Sequence, residues 1–150
     1  MSKEEKKVGV ALQGGGAHGA FTWGVLDRLL EEDDFVADAM CGTSAGAVNA
    51  VTCAYGLHIG GAQKAKELLE ELWRKIAMSG SFLFKPGIFD KAYSNGDIYN
   101  SPGYMMFNAI TQVLSPYNFN PFNYNPLRDI LNELIDFDEL HAYNKKKLFI

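Results

Sequence analysis

Gly42-Thr43-Ser44-Ala45-Gly46 sets one hydroxyl between two glycines, and Gly14-Gly15-Gly16-Ala17-His18-Gly19 lies about one strand-helix-strand unit ahead of it. Acyl transfer needs a nucleophile, a group that takes its proton, and hydrogen-bond donors where a carbonyl oxygen becomes negative. Ser44 fits the first requirement. A Gly-x-Ser-x-Gly turn between a strand and a helix lifts the serine hydroxyl clear of a sheet edge, and glycines on either side leave room for the bend. Gly42, Thr43, Ala45 and Gly46 are the residues of this expected nucleophile elbow. A helix starting at Ala45 would also aim its partial positive end at Ser44. The earlier glycine run fits the third requirement, because backbone without side chains can bring its amides close to a substrate oxygen. Gly14, Gly15, Gly16, Ala17 and Gly19 are the candidate oxyanion residues, with Gly15 and Gly16 as leading donors.

The proton acceptor is harder to find. The chain has three histidines, His18, His58 and His141. His18 lies in the glycine run but opens a helix, His58 follows an expected helix stop, and His141 falls in a charged turn, so none has the context of a general base. Asp97, Asp129, Asp136 and Asp138 are carboxylates whose surroundings read as surface or helix positions.

The elements that must carry these residues follow from periodicity. Val8-Gly9-Val10-Ala11-Leu12 is a short apolar run bounded by charge and by glycine, as in a parallel strand buried on both faces. From Ala17 to about Leu30, Phe21, Val25, Leu26, Leu29 and Leu30 recur at helical spacing, and Glu31 to Asp34 close the segment. Gly19 and Gly24 inside it each cost about 1 kcal/mol against alanine, which predicts close packing of this helix on the sheet. Phe35 to Met40 is the expected second strand. Ala45 to Ala54 reads as a small-residue helix with Gly56 as its stop. Ala62 to Ile76 is an amphipathic helix with Ala65, Leu68, Leu69, Leu72, Trp73 and Ile76 on one face.

Between Phe82 and Tyr124 aromatic residues mix with Gly, Pro and Asn, so loops are expected there, with one helix near Gly103 to Leu114. That aromatic stretch suits an acyl-chain pocket or a lid as well as it suits core. Asn125-Pro126 then caps a helix carrying Leu127, Ile130, Leu131, Leu134 and Ile135. Lys147-Leu148-Phe149-Ile150 begins another strand.

Composition excludes more than it assigns. At 150 residues, 47% hydrophobic and 21% charged, the chain is of single-domain size and globular. A formal net charge of -4 and the lack of a basic stripe argue against nucleic acid as a partner. Cys41 and Cys53 are too few for a disulfide framework, lack zinc-ligand spacing and read as buried thiols. No metal and no organic cofactor is implied. A charged N-terminus without a signal-like or membrane-spanning run gives a cytoplasmic expectation.

On its two glycine motifs, in this order and spacing within residues 8 to 55, the chain resembles the N-terminal half of a bacterial patatin-like phospholipase. The resemblance implies a three-layer α/β/α fold with a mainly parallel central sheet, and residues 1–150 as the first part of a single domain. It implies a serine lipid acyl hydrolase in which Ser44 acts with an aspartate and no histidine, Gly14 to Gly19 form the oxyanion loop, and His18 stands where relatives often carry arginine or lysine. The family's aspartate sits in an Asp-Gly-Gly or Asp-Gly-Ala motif. No Asp-Gly pair occurs in these 150 residues, so no aspartate is assigned and the chain as given is expected to be catalytically incomplete. Phospholipid or another lipid ester is the implied partner, with transient contact at a membrane surface. Two other readings compete. Gly14, Gly16 and Gly19 also match a dinucleotide-binding turn, but Met40-Cys41-Gly42 occupies the place of the ribose-binding acid. The other is a lipid-binding module that has lost activity.

Overall fold

A computed structural model describes residues 6–83, 125–143 and 147–150. The chain falls into two compact units, Met1–Ala77 with Leu127–Ile150, and Met78–Pro126. The sheet and the helices packed on it belong to the first. The expected loops and helix between 84 and 124 lie outside the described residues.

The described elements run β1 (Lys6–Leu12), a 3-10 turn (Gly16–His18), α1 (Gly19–Leu29), β2 (Phe35–Gly42), α2 (Ala45–Leu83), α3 (Pro126–Leu134), α4 (Phe137–Ala142) and β3 (Lys147–Phe149). The three strands form one parallel sheet in the order β1-β2-β3. Parallel neighbours need a crossover, and α1 supplies it between β1 and β2. The register is pinned at the start, where Lys6 donates through its backbone N to Asp34 O at 2.8 Å and through Nζ to the Asp34 carboxylate at 2.8 Å. That hydrogen bond, and the charge behind it, hold the Lys6 ammonium above its usual pKa. Val8 pairs with Ala37 and Gly9 with Ala39, so Asp38 bulges out of the ladder.

One face of the sheet carries the core. Val10, Met40 and Leu148 stand in one cross-strand row and pack with Leu12, Leu26, Leu30, Ala50, Cys53 and Leu69. Full burial of side chains such as Leu26, Met40 and Leu69 contributes roughly 1.5–3 kcal/mol each. The next row, Ala11, Cys41 and Phe149, is exposed. The expectation of a first strand buried on both faces is therefore corrected for the described residues: the helices among them cover one face, and the third layer of an α/β/α arrangement is not among them. Cys41 is likewise exposed rather than buried, because it points away from the row that Met40 joins; Cys53 is buried, and neither forms a disulfide.

Three further expectations are corrected. Gly56 does not stop a helix. The helix runs on to Gly60 and Gly61, where non-helical angles (φ -163° and 71°) break α2 into two arms. Gly56 instead lies at the contact of the arms, where an added Cβ would overlap the backbone of Ala65. On α1, Phe21 is 79% exposed and Val25 44%, so only Leu26, Leu29 and Leu30 of the expected stripe face inward. Gly24 does not touch the sheet, for a Cβ there would meet nothing within 4 Å. Residues 137–142, read as a turn at His141, form α4, because Asp136 caps it by accepting from the backbone N of Asp138 and Glu139 at 3.0 Å each. The amphipathic arm after Gly61 buries Ala65, Leu68, Leu69, Leu72 and Trp73 as its periodicity predicts.

Candidate active site

β2 ends at Gly42, and Ser44 is exposed at the bend before α2. Its φ is 54°, the one positive φ of a non-glycine among the described residues. A side chain in this left-handed region costs about 1–2 kcal/mol, so the surrounding packing must hold it there. The grip is visible on both sides. A Cβ on Gly42 would overlap the backbone of Gly46 and Ala47, and one on Gly46 would overlap the carbonyls of Leu12 and Gln13. The bend thus presses against the end of β1 with no room for a methyl group. Gly46 N donates to Thr43 O at 3.0 Å and Val48 N to Ser44 O at 3.1 Å, which starts the helix directly behind the hydroxyl. The N-terminal end of α2 places partial positive charge at Ser44.

The glycine run leaves β1 and meets the same bend. A Cβ on Gly14 would lie 2.8 Å from Thr43 O and 3.3 Å from Ser44 Cβ. Gly15 and Gly16 have φ of 148° and 56°, angles that favour glycine and turn the chain into the 3-10 segment. Gly15, Gly16 and Ala17 are exposed. Gly19 differs: it is buried, and its amide donates to Gly16 O and Ala17 O. That N–H is engaged inside the loop, and Gly19 is closely packed as well. A Cβ there would sit 2.7 Å from Ala45 Cβ and 2.9 Å from the Trp73 ring. Thr43 borders an open cavity of about 430 Å³ at the carboxyl ends of the strands, shared with Leu12, Gln13, Gly42, Cys41 and Phe149.

Sequence reasoning missed a buried polar link behind this loop. Asn49, fully buried on α2, donates through Nδ2 to Gly19 O at 2.9 Å and accepts at Oδ1 from Trp73 Nε1 at 2.9 Å. The signal available was one amide side chain in a run of small apolar residues, with its partners thirty residues before and twenty-four after it.

His18 is exposed and its Nδ1 lies 3.1 Å from Gly15 O, in contact with the loop's own backbone. His58 is within α2 rather than after its end. Its Nε2 lies 3.4 Å from Glu139 Oε1 and its ring stacks on Tyr143 at 4.1 Å. Tyr55 donates to the other oxygen of Glu139 at 3.1 Å, and burial, then that hydrogen bond, push its hydroxyl above the usual pKa. This group joins α2 to α4. His141 and Asp138 are exposed on α4, Asp136 is exposed at its cap and Asp129 is exposed on α3; Asp97 lies outside the described residues. Among the described residues no group of His, Cys, Asp and Glu side chains could hold a metal ion, and no helix is long and apolar enough to cross a membrane.

A family model described as patatin-like phospholipase matches residues 10–150. No curated protein and no solved structure matches the chain.

Proposed function

The chain belongs to the patatin-like phospholipase family, and from that premise we propose that Ser44 is the nucleophile of a serine lipid acyl hydrolase. The observation that carries the reading is the conformation of Ser44: exposed, at φ 54°, at the start of α2, with Gly14 packed against it. A strained residue kept at a solvent-facing bend is the mark of a side chain held for chemistry.

In this reading Ser44 Oγ attacks the acyl carbonyl carbon of a phospholipid or related ester, and the carbonyl oxygen takes the negative charge. Backbone N–H groups of Gly15, Gly16 and Ala17, with the first turn of α2, stabilise that oxygen. Collapse of the tetrahedral intermediate breaks the ester C–O bond and releases the alcohol, and water then hydrolyses the acyl-enzyme. The proton acceptor implied by the resemblance is an aspartate, and no residue described here is assigned that role. The packing of His58 against Glu139 and Tyr143, the exposed position of His141 and the local bond of His18 agree with a dyad that needs no histidine. Thr43 and the cavity beside it offer room for part of the substrate.

The test uses the longest natural chain containing these residues, treated with a fluorophosphonate probe and assayed for fatty acid release from phospholipid vesicles. Labelling and release in the parent, and loss of both by more than about 10³-fold in Ser44→Ala, are expected. Equal labelling or equal release in the two proteins would reject the serine.

A further inference from the structure

We infer that Asn49 is a positioning residue, which fixes the glycine loop against Ser44 from the helix that Ser44 itself begins. The inference rests on the proposed role of Ser44. Three observations carry it. Asn49 is one helical turn beyond Ala45, so both lie on the face of α2 that meets the start of α1. Gly19, where the loop joins α1, is clamped between Ala45 Cβ and the Trp73 ring, and its carbonyl accepts from Asn49 Nδ2 at 2.9 Å. The amide has no freedom to turn over. An indole N–H can only donate, so the atom facing Trp73 must be Oδ1, and the Gly19 carbonyl can only accept, so the atom facing it must be Nδ2.

The consequence is geometric. Gly19 N–H closes the 3-10 turn on Gly16 O, so the carbonyl on the other side of the same residue anchors the segment that presents Gly15, Gly16 and Ala17. β1 fixes the loop at Gly14, and Asn49 fixes its far end. Both anchors refer to the bend at Ser44, one through the contact of Gly14 with Thr43 and the other through α2. Hydrogen-bond donors aimed at a developing oxyanion lose their effect with small displacements, because their worth depends on being in place before the charge forms. Asn49 therefore acts on the transition state more than on substrate binding.

The decisive experiment compares parent, Asn49→Leu and Trp73→Phe of the same natural chain, each assayed well below its own Tm. Asn49→Leu removes the tie to Gly19, whereas Trp73→Phe leaves that tie in place and removes the N–H that orients the amide, together with the Cη2 and Cζ2 edge of the indole that lies on Gly19. Asn49→Leu is expected to lower kcat and the rate of fluorophosphonate labelling together by about 10–100-fold, with KM changed less than about threefold. Trp73→Phe should lower both rates by about three- to tenfold. A folded Asn49→Leu with kcat and labelling within threefold of the parent would overturn the inference, since a merely structural residue lowers Tm and leaves these rates alone. Should Asn49→Leu fail to fold, unchanged rates in Trp73→Phe overturn it equally. A parent whose activity survives Ser44→Ala refutes the nucleophile instead, which separates the two failures.

Discussion

The two ends of the first arm of α2 solve the same backbone problem with different residues. At its far end the chain reverses through Gly60 and Gly61, and the positive φ of 71° falls on a glycine. At its near end the positive φ of 54° falls on Ser44, although glycines stand two residues to either side. Glycine enters the left-handed region without a steric penalty, whereas serine costs about 1–2 kcal/mol. The hinge has relaxed to the cheapest residue, and the bend has not. Strain kept where an easy substitution would remove it separates a place that needs a side chain from a place that needs only a turn.

Substituting Ser44 with glycine sharpens this comparison most. Ser44→Gly and Ser44→Ala should both abolish fatty acid release, by more than about 10³-fold. Their stabilities should differ, with the glycine variant more stable than the alanine variant by about 1 kcal/mol in denaturant unfolding. Equal stabilities would mean that the bend is not strained. Gly61→Ala is the mirror experiment, expected to cost about 1–2 kcal/mol of stability with kcat unchanged.

Gly46 and Gly56 break the comparison along a second line. Both are glycines because another backbone occupies the place of a Cβ, the Leu12 and Gln13 carbonyls in one case and Ala65 in the other. Overpacking of this kind costs about 1–3 kcal/mol, and the two substitutions to alanine should lose similar stability. Activity should divide them. Gly46→Ala pushes the bend away from the end of β1 and so from the glycine loop, and kcat should fall at least tenfold at temperatures where the protein remains folded. Gly56→Ala parts the two arms of α2 far along the helix, and kcat should stay within about threefold. Equal loss of kcat in both would show that the arms and the bend move as one.

What was legible in the sequence follows the same division. The two glycine motifs, β1, β2, the helix at Pro126 and the strand at Lys147 could all be read, because each depends on local periodicity, a cap or a turn residue within a few positions. Gly56 misled because glycine inside a helix costs only about 1 kcal/mol against alanine, and close approach of the arms at Ala65 offsets that. α4 is short and carries little periodicity, although Asp136 and Glu139 have the spacing of a capping box. Hydrophobicity alone predicts Cys41 and Phe21 inside, while the pleat of β2 and the rotation of α1 turn them out. The link from Trp73 through Asn49 to Gly19 joins residues distant in sequence, and no local pattern announces such a bond.

Gly24 supplies the smallest test. The sequence predicts that it packs on the sheet, as it predicts for Gly19, yet Gly24 is exposed and a Cβ would meet nothing within 4 Å among the described residues. It is in the interior of a helix with no turn to make and no backbone to admit, so it meets none of the conditions that hold at Gly61, Gly46 or Gly56. Alanine there loses less backbone entropy on folding and should raise stability by about 0.5–1 kcal/mol, with kcat unchanged. A fall in stability would mean that this face of α1 is covered, and that Phe21 and Val25 beside it are covered too. An unchanged stability with lower kcat would instead give Gly24 a part in presenting the loop one turn before it, and would extend the strained region from the bend into α1.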